Sequence, residues 1–230
     1  MLALDTSHPV GSVSVAGDGR AAATVSFGAD ASHLAGIGPA SAEALERAGV
    51  TLDDVRRVAV TIGPGSFTGL RIGLAFAKGL VASRDIELVA VSTLELIALP
   101  HLEAHALVCA MIDARRNEVY AALYRGTDAG RAEPLLEPRA LSAADLMQAV
   151  RAHAQGPVAF AGTGALRYRD VVETLDGAVI IEGDAAPSSG VLAVVAGGIT
   201  PVPAAEVPAL EPAYLRPSGA ERKRLRPIDP

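Results

Sequence analysis

Apolar positions along the chain switch repeatedly between strand-like runs and a helical period, in an order that predicts an α/β protein. Leu2-Ala3-Leu4 is a short buried run that stops at Asp5-Thr6-Ser7. Val10 to Val15 and Ala21 to Phe27 are two more β-like runs, with Gly17-Asp18-Gly19 as the turn between them. His33 to Ala48 changes period. Leu34, Ile37, Ala44, Leu45 and Ala48 share one helical face, with Glu43, Glu46 and Arg47 opposite. Gly36 and Gly38 weaken that helix by roughly 1 kcal/mol each relative to alanine. Val58-Ala59-Val60-Thr61-Ile62 then predicts a buried strand, and Thr68 to about Ser83 a second helix.

Between that strand and helix runs Gly63-Pro64-Gly65-Ser66-Phe67-Thr68-Gly69-Leu70-Arg71-Ile72-Gly73. Glycine permits close backbone approach, Pro64 stiffens the turn, and Ser66 or Thr68 can cap the helix. Exposed N–H groups at such a helix start suit an anion, usually a phosphate. No Gly-Lys-Ser/Thr closes the segment, so it is not a Walker loop, and it is not GxGxxG. On these residues alone a tight strand-to-helix turn accounts for it. The helix itself is apolar nearly all round. Gly69, Gly73 and Ala77 make a small-residue stripe, Leu70, Leu74 and Val81 an apolar one, and Ile72, Phe76 and Leu80 another. Only Arg71 and Lys78 interrupt them. Such a helix needs cover on two sides: its own sheet on one, and a second helix, from this chain or a partner, on the other.

Glu87 to Val91 reads as a strand and Ser92 to Ile97 as the start of a short helix. A second strand-rich half begins near Ala106. Its first strand ends at Asp113 as the first half's ends at Asp5, consistent with duplicated lobes. Within Asp113-Ala114-Arg115-Arg116-Asn117-Glu118-Val119-Tyr120, Asn117 tolerates left-handed turn geometry. Gly126 to Ala140 is loop-rich with room for an edge strand, and Ser142 to Ala152 is an amphipathic helix capped by Ser142. Val158 to Ala161 is a strand leading into Gly162-Thr163-Gly164-Ala165, a second glycine turn at a helix start. Ser188 to Gly198 reads as a small-residue helix.

Composition narrows the function classes. The 230 residues can hold one sizeable α/β domain or two small lobes. A net charge of −6 argues against general nucleic-acid binding. The single cysteine, Cys109, excludes an intramolecular disulfide and lies in an apolar run, where a core thiol is expected rather than a nucleophile. There is no signal-peptide pattern and no long apolar span, so the chain reads as cytoplasmic and not membrane-bound. His101-Leu102-Glu103-Ala104-His105 has metal-ligand spacing but is not His-Glu-x-x-His. No metal site is expected there, and none at His33.

The Gly63–Gly73 segment resembles the signature of the TsaB (YeaZ) family, which has the fold of the actin, sugar-kinase and Hsp70 ATPases and is related to the TsaD/Kae1 proteins. Four further pieces resemble the family in the expected order. They are the Asp5-Thr6-Ser7 loop, the helix with His33, Ile37 and Pro39, the Asp113–Tyr120 element, and the closing Glu211-Pro212-Ala213-Tyr214-Leu215-Arg216. The resemblance implies an actin-like fold of two lobes, residues 1–105 and 106–216, each a mixed sheet flanked by helices. Residues 206–216 would pack back on the first lobe, and 217–230 would be a flexible basic tail. TsaD/Kae1 proteins carry a His-x-x-x-His metal pair where Thr93 and Ile97 stand here, which implies that their metal chemistry is lost.

The family role implied is that of a non-catalytic partner of TsaD, which transfers a threonylcarbamoyl group to the adenosine beside the anticodon of tRNAs reading codons that begin with A. TsaE would join in an ATP-dependent way, and tRNA would be met through the complex. A homodimer through the same helices is compatible with this role. The partner interface implied comprises His33, Leu34, Ile37, Gly69, Leu70, Arg71, Gly73, Leu74, Ala77 and Lys78. In that docking the stripe of Gly69, Gly73 and Ala77 lets the partner's helices come close. The loops open to phosphate or nucleotide are Asp5, Thr6, Ser7, Gly63, Pro64, Gly65 and Ser66 in the first lobe, with Asp113, Gly162 and Gly164 in the second. No catalytic residue and no firm cofactor are expected, with ATP or ADP and Mg admitted in the complex. Two alternatives remain: a small-molecule kinase of the same superfamily, and a metallopeptidase resting on His101 and His105. The run Arg222-Lys223-Arg224-Leu225-Arg226 reads as a solvated tail, with a tRNA phosphate contact as the minority reading.

Overall fold

The structure is a computed structural model and describes residues 1–17, 20–28, 32–127, 131–183 and 187–216. The Asp18-Gly19 part of the first turn and the Arg222–Arg226 run lie outside the described residues. Among these residues two five-stranded sheets are built to one plan. The first comprises β1 (Leu2–Asp5), β2 (Gly11–Gly17), β3 (Arg20–Phe27), β4 (Arg57–Gly63) and β5 (Glu87–Ser92). The second comprises β6 (Leu107–Asp113), β7 (Glu118–Gly126), β8 (Ala132–Ser142), β9 (Val158–Ala161) and β10 (Ala178–Ile180). Their orders, β3-β2-β1-β4-β5 and β8-β7-β6-β9-β10, are the same. In both, the first strand pairs antiparallel with the second and parallel with the fourth.

The helices are α1 (His33–Arg47), α2 (Phe67–Ala82), α3 (Thr93–Ala98), α4 (Ala143–His153), α5 (Thr163–Arg167), α6 (Arg169–Val172) and α7 (Ser189–Val195). α1 and α2 pack Ile37, Ala44, Leu74 and Ala77 onto one face of the first sheet, against Leu2, Leu4, Val58 and Val60. α4 to α6 cover the corresponding face of the second sheet. The other two faces exchange their helices. α3, which follows the first sheet, lays Leu94, Ile97 and Ala98 on the second sheet's Val108, Ala110 and Ala122. α7, which follows the second sheet, and the turn after it lay Leu192, Ala193 and Ala196 on Ala3, Ala59 and Val89 of the first. Polar contacts fix α7 at both ends. Ser189 Oγ meets Ser14 Oγ at 2.7 Å, while Arg57 donates to the carbonyls of Ala196 and Gly197 at 3.1 Å. A cation at a helix C-terminus also complements the helix dipole.

The predicted helices fall where expected within a residue or two. Ser66 rather than Thr68 caps α2, accepting from Gly69 N–H at 3.2 Å, and Ser32 caps α1. Gly36 is required where it stands, because a Cβ there would lie 2.6 Å from the Phe27 ring. Two strands are less legible. β8 is the edge strand for which the loop-rich stretch left room, and Pro134 and Pro138 are tolerated in it because one side of the strand needs no partner. β10 is only three residues long. Cys109 is fully buried in the second core, and burial pushes its thiol far above the usual range.

Candidate docking face and interlobe loops

β1 ends in a carboxylate that the chain closes upon itself. Asp5 Oδ1 accepts from Ser7 N–H at 3.0 Å, Ser7 Oγ at 2.7 Å and Thr61 Oγ1 at 2.7 Å. The last bond joins the loop to β4. Asp5, Thr6 and Ser7 are 1%, 0% and 2% exposed. Asp5 Oδ2 and Thr6 Oγ1 have no hydrogen-bond partner among the described residues and are sealed from solvent. The three residues resembling a phosphate loop thus keep their hydroxyls and carboxylate within the chain. They work as a staple between strands. Thr61→Val, which removes one donor to a buried carboxylate, should lower stability by about 2 kcal/mol in urea unfolding and leave partner binding unchanged.

The glycine segment serves the same loop. A Cβ on Gly65 would stand 2.4 Å from the Ser7 carbonyl oxygen, one on Gly69 2.1 Å from that of Thr6, and one on Gly73 2.2 Å from Thr6 Oγ1. Ser66 N–H donates to the Ser7 carbonyl at 2.7 Å, and Gly63 takes a left-handed φ of 112°. Gly65 and Ser66 are thus brought against Ser7, while Gly63 lies against Leu70 and the Ala213 carbonyl. The small-residue stripe of α2 faces inward. Gly69, Leu70, Gly73, Leu74 and Ala77 are all buried within the chain, so the close approach they permit is that of α2 to its own β1 loop. His33 is also tied inward, its Nε2–H donating to the His8 carbonyl at 2.8 Å and its ring edge-on to Phe27. Lys78 donates to the Pro208 carbonyl at 2.9 Å.

With that face of α2 spent, the stripe carrying Ile72 and Phe76 turns outward. Together with α1 it forms a groove of about 460 Å³ walled by Leu34, Ile37, Gly38, Pro39, Phe67, Thr68, Arg71, Ile72, Ala75 and Phe76. Leu34 is 73% exposed and Phe67 43%. Of the residues expected at a partner interface, Leu34, Ile37 and Arg71 line this groove. Phe67, Thr68, Ile72, Ala75, Phe76, Gly38 and Pro39 join them from outside the expected interface set. The Ile72-Phe76 periodicity is the signal that marks them. It was assignable to either side until Thr6 showed which side of the helix needs glycine.

In the second lobe, Gly162 and Gly164 press on the end of β6 in the same manner, with a Gly162 Cβ falling 2.3 Å from the Met111 carbonyl oxygen. Thr163 Oγ1 accepts from Asp113 N–H at 3.2 Å, and Asp113 Oδ1 accepts from Arg115 N–H at 2.9 Å. Arg115, Arg116 and Asn117 all have φ near +60°, so three consecutive side chains occupy the left-handed region. His8, beside Ser7 Oγ at 3.2 Å, is kept below the usual imidazole range by burial, with Asp5 pulling the other way. His101 is held down by burial and then by His105. Among the described residues no group of three or more His, Cys, Asp or Glu is placed to hold a metal ion.

Two sheets of one topology, each capped by a helix from the other half, define a two-lobed actin-like α/β protein. In fold alone the chain is similar to component A of (R)-2-hydroxyglutaryl-CoA dehydratase from Acidaminococcus fermentans, with TM-score 0.53 and 12% identity over 86% of this chain and 96% of that one. The crystal structure of YeaZ from Pseudomonas aeruginosa is nearer, with TM-score 0.75 and 28% identity over 93% of this chain and 98% of that one. A Bacillus subtilis (strain 168) relative named tRNA threonylcarbamoyladenosine biosynthesis protein TsaB is 30% identical, covering 97% of this chain and 96% of its own length. The family model of TsaD, tRNA N6-adenosine threonylcarbamoyltransferase, matches residues 28–155. The chain belongs to the TsaB (YeaZ) family.

Proposed function

We propose that this chain acts in forming threonylcarbamoyladenosine as the non-catalytic partner of TsaD, modifying the adenosine beside the anticodon of tRNAs that read codons beginning with A. The observation that carries the reading is the exposed apolar groove between α1 and α2. An open apolar surface of this kind on a folded chain marks a docking site. The match to the TsaD model spans both helices, so a TsaD chain has a counterpart of this helix pair to offer. Two like pairs can meet about a quasi-twofold axis, as isologous interfaces do. The closed Asp5 loop supports a supporting rather than a catalytic role, with TsaE joining the complex in an ATP-dependent way.

The test is size-exclusion chromatography with light scattering on the chain alone and mixed with TsaD of its own organism, followed by tRNA threonylcarbamoylation. A stable mixed complex that restores modification is the expected result. Self-association that persists while TsaD elutes separately, with or without TsaE, ATP and tRNA, would overturn the reading.

A further inference from the structure

The C-terminal segment crosses from the end of the docking groove to the second lobe, and each step of the crossing is bonded. Ala213 N–H donates to the Ile62 carbonyl at 2.7 Å, extending the exit of β4. Tyr214 follows, 40% exposed, with its ring 5.2 Å from that of Phe67. Arg71 Nε donates to the Tyr214 hydroxyl at 2.7 Å, and its guanidinium lies 3.8 Å from the Phe67 ring centroid. Phe67 and Arg71 are groove walls. Leu215 packs on the second lobe with Ile112, Tyr120 and α3. Arg216 donates to the Ala114 carbonyl at 3.2 Å and pairs with Glu118. Ala114 and Glu118 flank the three left-handed residues of the β6–β7 turn and are bonded to each other at 3.0 Å.

We propose that residues 213–216 are a strap that belongs to the docking face: Tyr214 sets the positions of Arg71 and Phe67, and Arg216 holds Tyr214 there through the second lobe. This rests on the groove being the TsaD site. The strap orients Arg71 by engaging only its Nε. Among the described residues no hydrogen bond or ion pair engages the two terminal nitrogens, and Arg71 lines the groove, which leaves them as a donor pair for the groove's occupant. The surface that fits is therefore an apolar helix carrying a carboxylate opposite Arg71, since a guanidinium held in place binds a carboxylate with little further loss of freedom. A second consequence is less local. Glu118 and Arg216 do not line the groove, yet TsaD affinity depends on them as positioning residues.

The experiment measures TsaD affinity calorimetrically, together with the thermal midpoint of each full-length variant. Tyr214→Ala removes a partly exposed aromatic wall and should weaken TsaD binding about tenfold or more. Tyr214→Phe, which keeps the ring and frees only Arg71, should weaken it about threefold. Arg216→Ala and Glu118→Gln should each raise the Kd about threefold to tenfold, and Arg216→Lys should recover part of the loss by restoring the cation beside Glu118. Arg216→Ala and Tyr214→Ala variants that melt earlier but bind TsaD with the wild-type Kd would overturn the inference. A groove variant such as Leu34→Glu separates the two readings. If it binds normally, the groove itself is not the site; if it fails to bind while the strap variants bind normally, only the strap is wrong.

Discussion

Gly69→Ala is expected to cost about 3–5 kcal/mol of stability, while Gly79→Ala in the same helix raises it by about 0.5–1 kcal/mol. At Gly69 the new methyl carbon would sit 2.1 Å from the Thr6 carbonyl oxygen, a backbone atom of the central strand's exit that cannot swing aside. α2 would have to lift away, loosening Leu70, Leu74 and Ala77 from the first core. The loop would suffer too, because Ser66 N–H and the Ser7 carbonyl would part. Gly79 meets nothing within 4 Å, so alanine there only removes the glycine's entropic penalty. Urea unfolding of both variants reads the difference. Stability that changes alike in the two would mean that the glycine stripe is not packed against the β1 loop.

The same contrast shows what the chain's pattern can and cannot reveal. Strand and helix order was legible because both lobes announce themselves by apolar runs ending in an acid, Leu2-Ala3-Leu4-Asp5 and Val108 to Asp113. The glycine segment was legible as a close-approach motif, but not what approaches. Gly69, Gly73 and Ala77 would look the same facing a partner helix or the Thr6 backbone, and only three-dimensional placement separates the two. Asp5 carries the same ambiguity. A carboxylate followed by hydroxyls suits a phosphate loop, and suits equally well a loop that bonds itself shut through Ser7 and Thr61. The exchange of α3 and α7 between sheets is invisible to periodicity, which reports that a face is buried and not which sheet buries it. Tyr214 was legible as part of a closing motif. Its place beside Arg71 and Phe67 depends on a contact across 143 positions of sequence.

Leu34→Glu combined with Ala75→Glu is expected to raise the Kd for TsaD at least about 100-fold while leaving the fold intact, which corresponds to about 2.8 kcal/mol. Leu34 is 73% exposed and Ala75 is on the open side of α2, so in the free chain both carboxylates stay in water and replace only solvent-facing apolar surface. On docking they would enter a groove walled by Ile37, Ile72 and Phe76, where an ionised group loses its hydration against an apolar lining. Arg71 is the groove's charged wall residue, but its Nε is bonded to Tyr214 and its ring-stacked position is fixed by Phe67. Its terminal nitrogens stay open, so a carboxylate at position 75, one helical turn away, would take the donor pair offered to the partner's carboxylate and add to the loss. Arg47→Glu, on an exposed position of the same α1 helix outside the groove, makes the same change in net charge as the double variant and should bind TsaD normally. Light scattering on the free chain gives a second readout. If two copies associate through this groove, the double variant becomes monomeric at concentrations where the wild type does not. Retention of wild-type TsaD affinity by the double variant would remove the groove as the docking site, and with it the physical basis for the partner role.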